Sequence, residues 1–309
     1  MNDLLLLGDY FFDIIFSGLA EFPALGREVY SDSITSTGGA MYITATALRR
    51  LGVSIAWVAQ FGDDPYSRHV HDLAVSEGID LSLARLLDTP YRRVTSSMPL
   101  HGERAFVTYV DPEPEDLFDF WLRVVRTSEY RHLHLGGLEP PDQITPILKA
   151  ARERGATISM DCQDDPLLWR DCDWEEFLPM VDIFMPNARE ALMITKLDNV
   201  EDAARKLSGW VSKVVIKDGA NGAWISSGNT LLNSPAINFG QVVDTTGAGD
   251  CFNAGFLFGH IIKQQPDEVS TRYGNICGGL SVTGIGGAAN VPTLETLMQW
   301  VAKLEAIRS

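Results

Sequence analysis

The sequence predicts an α/β fold built on a mostly parallel sheet, and three features predict it. Strand-like apolar runs bounded by Gly, Asp or Asn recur along the chain, helix-like segments fill the intervals, and several of those helices stop at a glycine. In order, DLLLLGD (3–9) reads as the first strand and AMYITATALRRLG (40–52) as a helix stopped at Gly52. VSIAWVAQFG (53–62) follows as a strand, and YSRHVHDLAVSEG (66–78) as a helix stopped at Gly78. HLHLGG (132–137) is a strand, and QITPILKAARERG (143–155) a helix stopped at Gly155. ATISMD (156–161) and DIFMPN (182–187) are strands, NVEDAARKLSGW (199–210) is a helix, and KVVIKDG (213–219) is a strand.

Two stretches break the alternation. Residues 14–34 and 91–110 read as extended β ribbons, with HGER (101–104) as a turn, and together they would form a small β subdomain. Such an appendage beside the carboxyl ends of the strands is placed to act as a lid, although ordinary edge hairpins would look much the same. No internal repeat or low-complexity segment interrupts the chain, so residues 1–309 are expected to form one domain.

Bulk properties narrow the function classes. The 309 residues are 45% hydrophobic, enough for a sizeable core, and carry a formal net charge of −16. That balance opposes nucleic-acid binding, which needs a basic face. Cys162, Cys172, Cys251 and Cys277 show no metal-ligand spacing and read as free thiols of a reducing compartment. The start of the chain fits no secretory signal, and the apolar run 251–262 is far shorter than the ~20 residues that cross a bilayer. The expectation is a soluble cytoplasmic protein without a membrane partner.

The chemistry concentrates in VVDTTGAGDCFNAGF (242–256), where Asp250 follows a glycine turn at the mouth of a helix. Helix N-termini attract anions, so Asp250 reads either as a cap or as an acid beside an anion site. There is no GxxxxGK[ST] phosphate loop, and GAGDCF has Phe252 where a dinucleotide fingerprint needs its third glycine. What remains is a nest of amides at Ala248, Gly249 and Asp250 next to a carboxylate, an arrangement suited to phosphoryl transfer.

DTTGAGDCFNAGF resembles the second signature of the ribokinase-like (PfkB) carbohydrate kinases, and TGGAMYITATALRRLG (37–52) resembles the first. GDYFFD (8–13), FGDDPYS (61–67), PNARE (186–190), VIKDGANGAWI (215–225) and VTGIGGAANVPT (282–293) are similar to further family landmarks in the family's order. The resemblance covers essentially the whole chain. It implies a three-layer α/β/α fold with a β lid and ATP-dependent phosphorylation of a hydroxymethyl-type alcohol on a sugar or sugar-like substrate. A nucleoside acceptor, or a catalytically idle sugar- or nucleotide-binding regulator on the same scaffold, are the alternatives.

Carried over by position, the resemblance assigns Asp250 as general base and Gly247, Ala248 and Gly249 as the anion hole. Asn187 and Glu190 would organise Mg2+, partly through water, and the triphosphate of ATP. Lys217, Gly219, Gly222 and Asn275 would line the nucleotide site, and Asp13, Gly38 and Gly39 would hold the sugar. A monovalent cation such as K+ would lie among Asp244, Thr246, Ser281, Gly284, Gly286 and Asn290. Lid ribbons pair between subunits in many members, which implies a homodimer. Each acid has a plainer reading as a turn, cap or dipole residue, and Lys217 as a solvated one. His132 and His134 read as structural.

The pattern also has departures. Ile43 stands where the family carries a sugar-binding Asn, Ser67 where a Gly is usual, and Gly284 where an Arg is usual. An apolar side chain cannot replace an amide, so at least one acceptor hydroxyl contact is lost or supplied elsewhere. The aromatics Tyr10, Phe11, Phe12 and Phe16 read either as core or as stacking partners for the acceptor.

Overall fold

The computed structural model describes residues 1–100, 103–163 and 172–308. Fourteen strands are present among them: β1 (Asn2–Leu7), β2 (Tyr10–Ser17), β3 (Ser33–Ala40), β4 (Ile55–Trp57), β5 (Gln60–Phe61), β6 (Arg85–Leu86), β7 (Arg93–Leu100), β8 (Glu103–Val110), β9 (Tyr130–Leu135), β10 (Thr157–Asp161), β11 (Ile183–Met185), β12 (Lys213–Lys217), β13 (Ala223–Ser227) and β14 (Thr230–Ser234). Eight of them form one sheet in the order β14-β13-β12-β11-β10-β9-β1-β4. From β4 to β12 all neighbours are parallel, while β13 and β14 continue the edge antiparallel.

Helices cover both faces, and the sequence of β1 shows why. Leu4 and Leu6 point into one apolar layer and Leu5 and Leu7 into the other, all four fully buried. A strand covered on both sides has no polar face, which explains the unbroken leucine run. One layer packs the helices Met41–Arg50, Ala248–Leu257, Asp267–Ser281 and Leu294–Arg308 on the sheet; the other packs Leu117–Thr127, Pro141–Glu153, Ala188–Thr195 and Val200–Leu207. The result is the expected α/β/α sandwich. Gly52, Gly78 and Gly155 follow their helices with φ of 80°, 69° and 78°, as their terminating role requires.

The second sheet, in the order β3-β2-β7-β8, takes both strands of 91–110. The first stretch is only partly extended: its strands are Tyr10–Ser17 and Ser33–Ala40, and 18–32 between them form no strand. β2 pairs antiparallel with β3 and parallel with β7, and β7 pairs antiparallel with β8. The HGER turn falls partly on residues 101 and 102, outside the described residues. β3 runs further than the sequence pattern indicates and ends at Ala40, so Gly38 and Gly39 belong to a strand paired with β2 instead of to a helix entrance.

Among the described residues, no helix is long and apolar enough to cross a membrane.

Candidate active site

In the large sheet the strand order turns back at β1, whose neighbours are β4 and β9. Beyond the carboxyl ends of such a sheet lies the crevice that binds ligands in open α/β folds. Here it is a cavity of about 860 Å³. Gly136 after β9, Asp161 ending β10, Asn187 after β11 and Lys217 ending β12 all line it, opposite the turn that carries Asp250.

That turn is held by Asp244. Its Oδ1 accepts hydrogen bonds from the Thr246 amide (2.9 Å) and hydroxyl (2.7 Å), and its Oδ2 accepts one from the Gly286 amide (2.9 Å). Gly247 caps the helix Ala248–Leu257 in the left-handed region, at φ 69°. A side chain there would be strained, and its Cβ would come within 2.6 Å of Ile43 Cδ1 and 2.9 Å of Gly287 Cα. The Ala248 amide closes the turn onto the Thr245 carbonyl at 3.3 Å, and the first-turn amides that follow it lack intrahelical partners.

Asp250, three residues inside the helix, caps nothing. Its Oδ1 accepts a hydrogen bond from the Thr44 hydroxyl at 3.1 Å, and the carboxylate faces the cavity. Burial pushes its pKa up to about 7, reinforced by Asp161 and Asp13 and opposed by Lys217 and Thr44. A carboxylate so placed is a base matched to neutral pH.

Lys217 is largely shielded, its side chain 11% exposed, contrary to its plainer reading as a solvated residue. Its Nζ donates to both oxygens of Asp161 at 2.8 Å and to Asn253 Oδ1 at 3.3 Å, while Asn253 Nδ2 donates to Asp161 Oδ2 at 2.6 Å. Burial alone would lower the lysine pKa, but Asp161, Glu190 and Asp250 together hold it above its usual value. Asn187 and Glu190 form a reciprocal capping box on the helix Ala188–Thr195. The Glu190 amide donates to Asn187 Oδ1 (2.9 Å), and the Asn187 amide donates to Glu190 Oε2 (2.8 Å). Glu190 is buried all the same, and both residues line the cavity.

Gly219, Gly222 and Asn275 line the far wall. At φ 91°, Gly222 passes so close to the Ser234 carbonyl that a Cβ would collide with it. Asn275 Nδ2 donates to the Ser234 carbonyl and hydroxyl and to the Pro235 carbonyl, each at 3.1 Å, which fixes that wall to β14.

Asp13, Gly38 and Gly39 sit on β2 and β3, outside the cavity lining. The Asp13 carboxylate lies over Gly39 and is raised to about 7 by burial and then by Asp244. Gly38 lies beneath the Tyr42 ring. Of the residues expected around a monovalent cation, Asp244, Thr246 and Gly286 meet directly. Asn290 is bonded to Thr283 (3.0 Å) beside Gly284, and the Ser281 hydroxyl donates to Gly278 within its own helix.

The departures have physical explanations. Ile43 is fully buried, its Cδ1 against Gly247 and Gly287, so it fills the space behind the anion turn. Ser67 accepts from the Gly62 amide (3.0 Å) and donates to Asp64 (2.6 Å), bracing the loop where a glycine was expected. Tyr10 is core, stacked on Phe61 at 5.3 Å, and Phe12 packs against Tyr66 and His69. His132 and His134 are buried on β9, hydrogen-bonded to Thr157 and Ser159 and held neutral by burial.

Sequence reasoning missed Asp161, Asn253 and Thr44. An acid ending a central strand is the one signal that pointed to Asp161.

Whether the site suits Mg2+ is tested by its charge. Asp161, Glu190 and Asp250 lie around the one ammonium that, among the described residues, lines the cavity, an excess of negative charge that suits a divalent cation. Among the described residues no group of three or more His, Cys, Asp or Glu is positioned to hold a metal together. Mg2+ keeps several waters and is bound through one or two carboxylates plus phosphates, and Glu190 and Asp250 are carboxylates lining the cavity.

Residues 31–294 match the description pfkB family carbohydrate kinase. The chain is 29% identical to a cytidine kinase of Thermococcus kodakarensis over 89% of this chain and 94% of that one. It is 28% identical to a fructokinase of Klebsiella pneumoniae over 85% and 91%. The ribokinase of Arabidopsis thaliana, solved with ribose and ATP, superposes with a TM-score of 0.76 at 21% identity, over 96% of this chain and 98% of that one.

Proposed function

Because the chain belongs to the pfkB family of carbohydrate kinases, we propose that it transfers the γ-phosphoryl group of ATP to a hydroxymethyl-type hydroxyl of a sugar or sugar-like acceptor, with Asp250 as general base. The observation that carries this reading is a half-buried carboxylate, its pKa pushed up to about 7, at the start of a helix and facing a cavity floored by Lys217 and Asp161. Asp250, oriented by Thr44, takes the acceptor hydroxyl proton as that oxygen attacks the γ-phosphorus and the bond to the β-phosphate oxygen breaks. Gly247, Ala248 and Gly249 form the anion hole, where first-turn amides and the helix dipole stabilise charge on the migrating group. Mg2+, when bound, neutralises phosphate charge. Glu190 and Asn187 are the residues that would hold it and its waters.

Lys217, Gly219, Gly222 and Asn275 take the nucleotide, and Asp13, Gly38 and Gly39 the acceptor. The sheet β3-β2-β7-β8 is the lid of a single-domain enzyme. Asp244 has three donors and a carboxylate has about four acceptor sites, so one remains for K+ beside Thr246 and the loop Ser281 to Asn290. Four free, buried cysteines support a reducing, cytoplasmic location. The exposed apolar side chains Ile34, Val107, Tyr109 and Val110 on the lid support a homodimer through that sheet.

A nucleoside acceptor stays in view because the relatives include a cytidine kinase alongside a fructokinase. The test is ADP release from Mg-ATP with a panel of sugars and nucleosides, read beside thermal shift. One acceptor that releases ADP identifies the class. Ligands that raise the melting temperature without any ADP release would show an idle binding protein and overturn the kinase reading.

A further inference from the structure

The loop Val282–Thr293 carries the Gly286 amide that bonds Asp244 and the Gly287 backbone that backs the anion turn. Its position therefore sets that of Gly247 and of the first-turn amides. The loop is tied to the body by the Asp244 bond, by the Cys251 thiol, which donates to the Gly287 carbonyl at 3.4 Å, and by one guanidinium. Arg50, at the end of the helix Met41–Arg50, donates through Nη1 to the carbonyls of Ala288 (2.9 Å) and Val291 (3.4 Å). Its other edge is gripped by Glu77, with Nε to Oε2 at 3.0 Å and Nη2 to Oε1 at 2.6 Å. The ion pair is three-quarters shielded from solvent, and Glu77 itself follows the helix Pro65–Ser76. The same arginine-bearing helix presents Thr44 to Asp250 and Ile43 to both Gly247 and Gly287. Base, anion turn and loop are thus all referenced to one helix, and the Arg50 fork is the loop's polar link to it beside the Ile43 packing on Gly287.

We propose that Arg50, oriented by Glu77, is a positioning residue for phosphoryl transfer: it holds the loop Val282–Thr293 so that Gly286 and Gly287 fix the anion turn in front of Asp250. This rests on the kinase reading. A planar fork can serve a carboxylate on one edge and carbonyls on the other, which a lysine ammonium cannot reproduce. Arg50 is not among the residues lining the cavity, so its loss is expected to shift the turn without removing a lining side chain.

The experiment compares the full-length chain with Arg50→Met, Arg50→Lys and Glu77→Gln. Backbone hydrogen exchange is followed at 245–250 and 283–292, without ligand and with the magnesium complex of a non-hydrolysable ATP analogue. Turnover is read as ADP release with fructose, ribose and cytidine as probe acceptors. Arg50→Met is expected to speed exchange in both segments and to lower kcat about 10- to 100-fold, the cost of small misplacement of reacting groups, with KM for ATP unchanged. Added guanidinium ion recovers part of the rate in Arg50→Met, and Glu77→Gln gives a weaker version of the same pattern. Faster exchange confined to 283–292, or an unaltered kcat, would overturn the proposal. If the unmodified protein turns over no acceptor, it is the kinase reading that fails, and the exchange at 245–250 still decides the role of Arg50.

Discussion

Asp250 is placed for reaction at some cost to folding. Its pKa of about 7 against an ordinary 3.8 means the folded state holds its proton over a range where the unfolded chain has lost it. Stability contributed by such a raised acid falls as pH rises from about 4 to 7. Asp250→Asn should therefore melt higher than the unmodified protein at pH 8, with the gap closing towards pH 4; calorimetry at the two pH values checks this. The same substitution should lower turnover by about 10²–10⁴, the range expected of general-base help, while leaving nucleotide affinity largely intact. In the unmodified enzyme, kcat/KM should rise through about pH 7 as Asp250 ionises and level off above it. Asp161 makes a second case. Asp161→Leu removes the carboxylate to which Lys217 donates twice, and a loss of about 1.5–3 kcal/mol in denaturant unfolding is expected for such a charge-assisted bond. Asp250 was legible because the glycine turn and the helix start flank it in sequence. Asp161 was not, since its partner Lys217 lies 56 residues on and meets it only through the strand order β10-β11-β12.

At the scale of elements, the helices Ala248–Leu257 and Asp267–Ser281 approach so closely that glycines form the contact. A Cβ on Gly255 would sit 2.6 Å from the Tyr273 carbonyl, and one on Gly278 would sit 2.9 Å from that of Ala248. Gly255 stands in an otherwise apolar run, where a residue without a side chain marks a close approach of helices. Gly255→Ala pushes backbone against backbone, with an expected loss of about 1–3 kcal/mol as overpacking; chemical denaturation would show it, and an unchanged midpoint would refute it. The strands of the large sheet were legible because a run covered on both faces is apolar throughout. The end of β3 was not, because Gly38 and Gly39 carry no side chain to report a strand, and their pairing is set by β2, more than twenty residues away.

At the scale of the whole molecule, the smaller sheet leaves β8 as an edge strand, with Val107, Tyr109 and Val110 exposed. Unprotected apolar edges of this kind invite pairing with a second copy. Light scattering should give a dimer for the unmodified chain and a monomer for Val107→Lys/Tyr109→Lys, and a monomer in both would remove the lid from the interface. Nothing local in 91–110 announces that edge, because exposure depends on which strand ends the sheet.

The three carboxylates around Lys217 have a consequence for how substrate arrives. The chain carries a net charge of −16, and among the described residues the cavity is lined by one ammonium, Lys217, against three acids. A bare polyanion approaching that mouth meets repulsion focused by the low-dielectric walls. Nucleotide stripped of its counter-ion should therefore be a poor competitor. Adding ATP beyond the available magnesium should slow the reaction no more than the loss of the metal complex accounts for, and raising ionic strength should ease entry instead of hindering it.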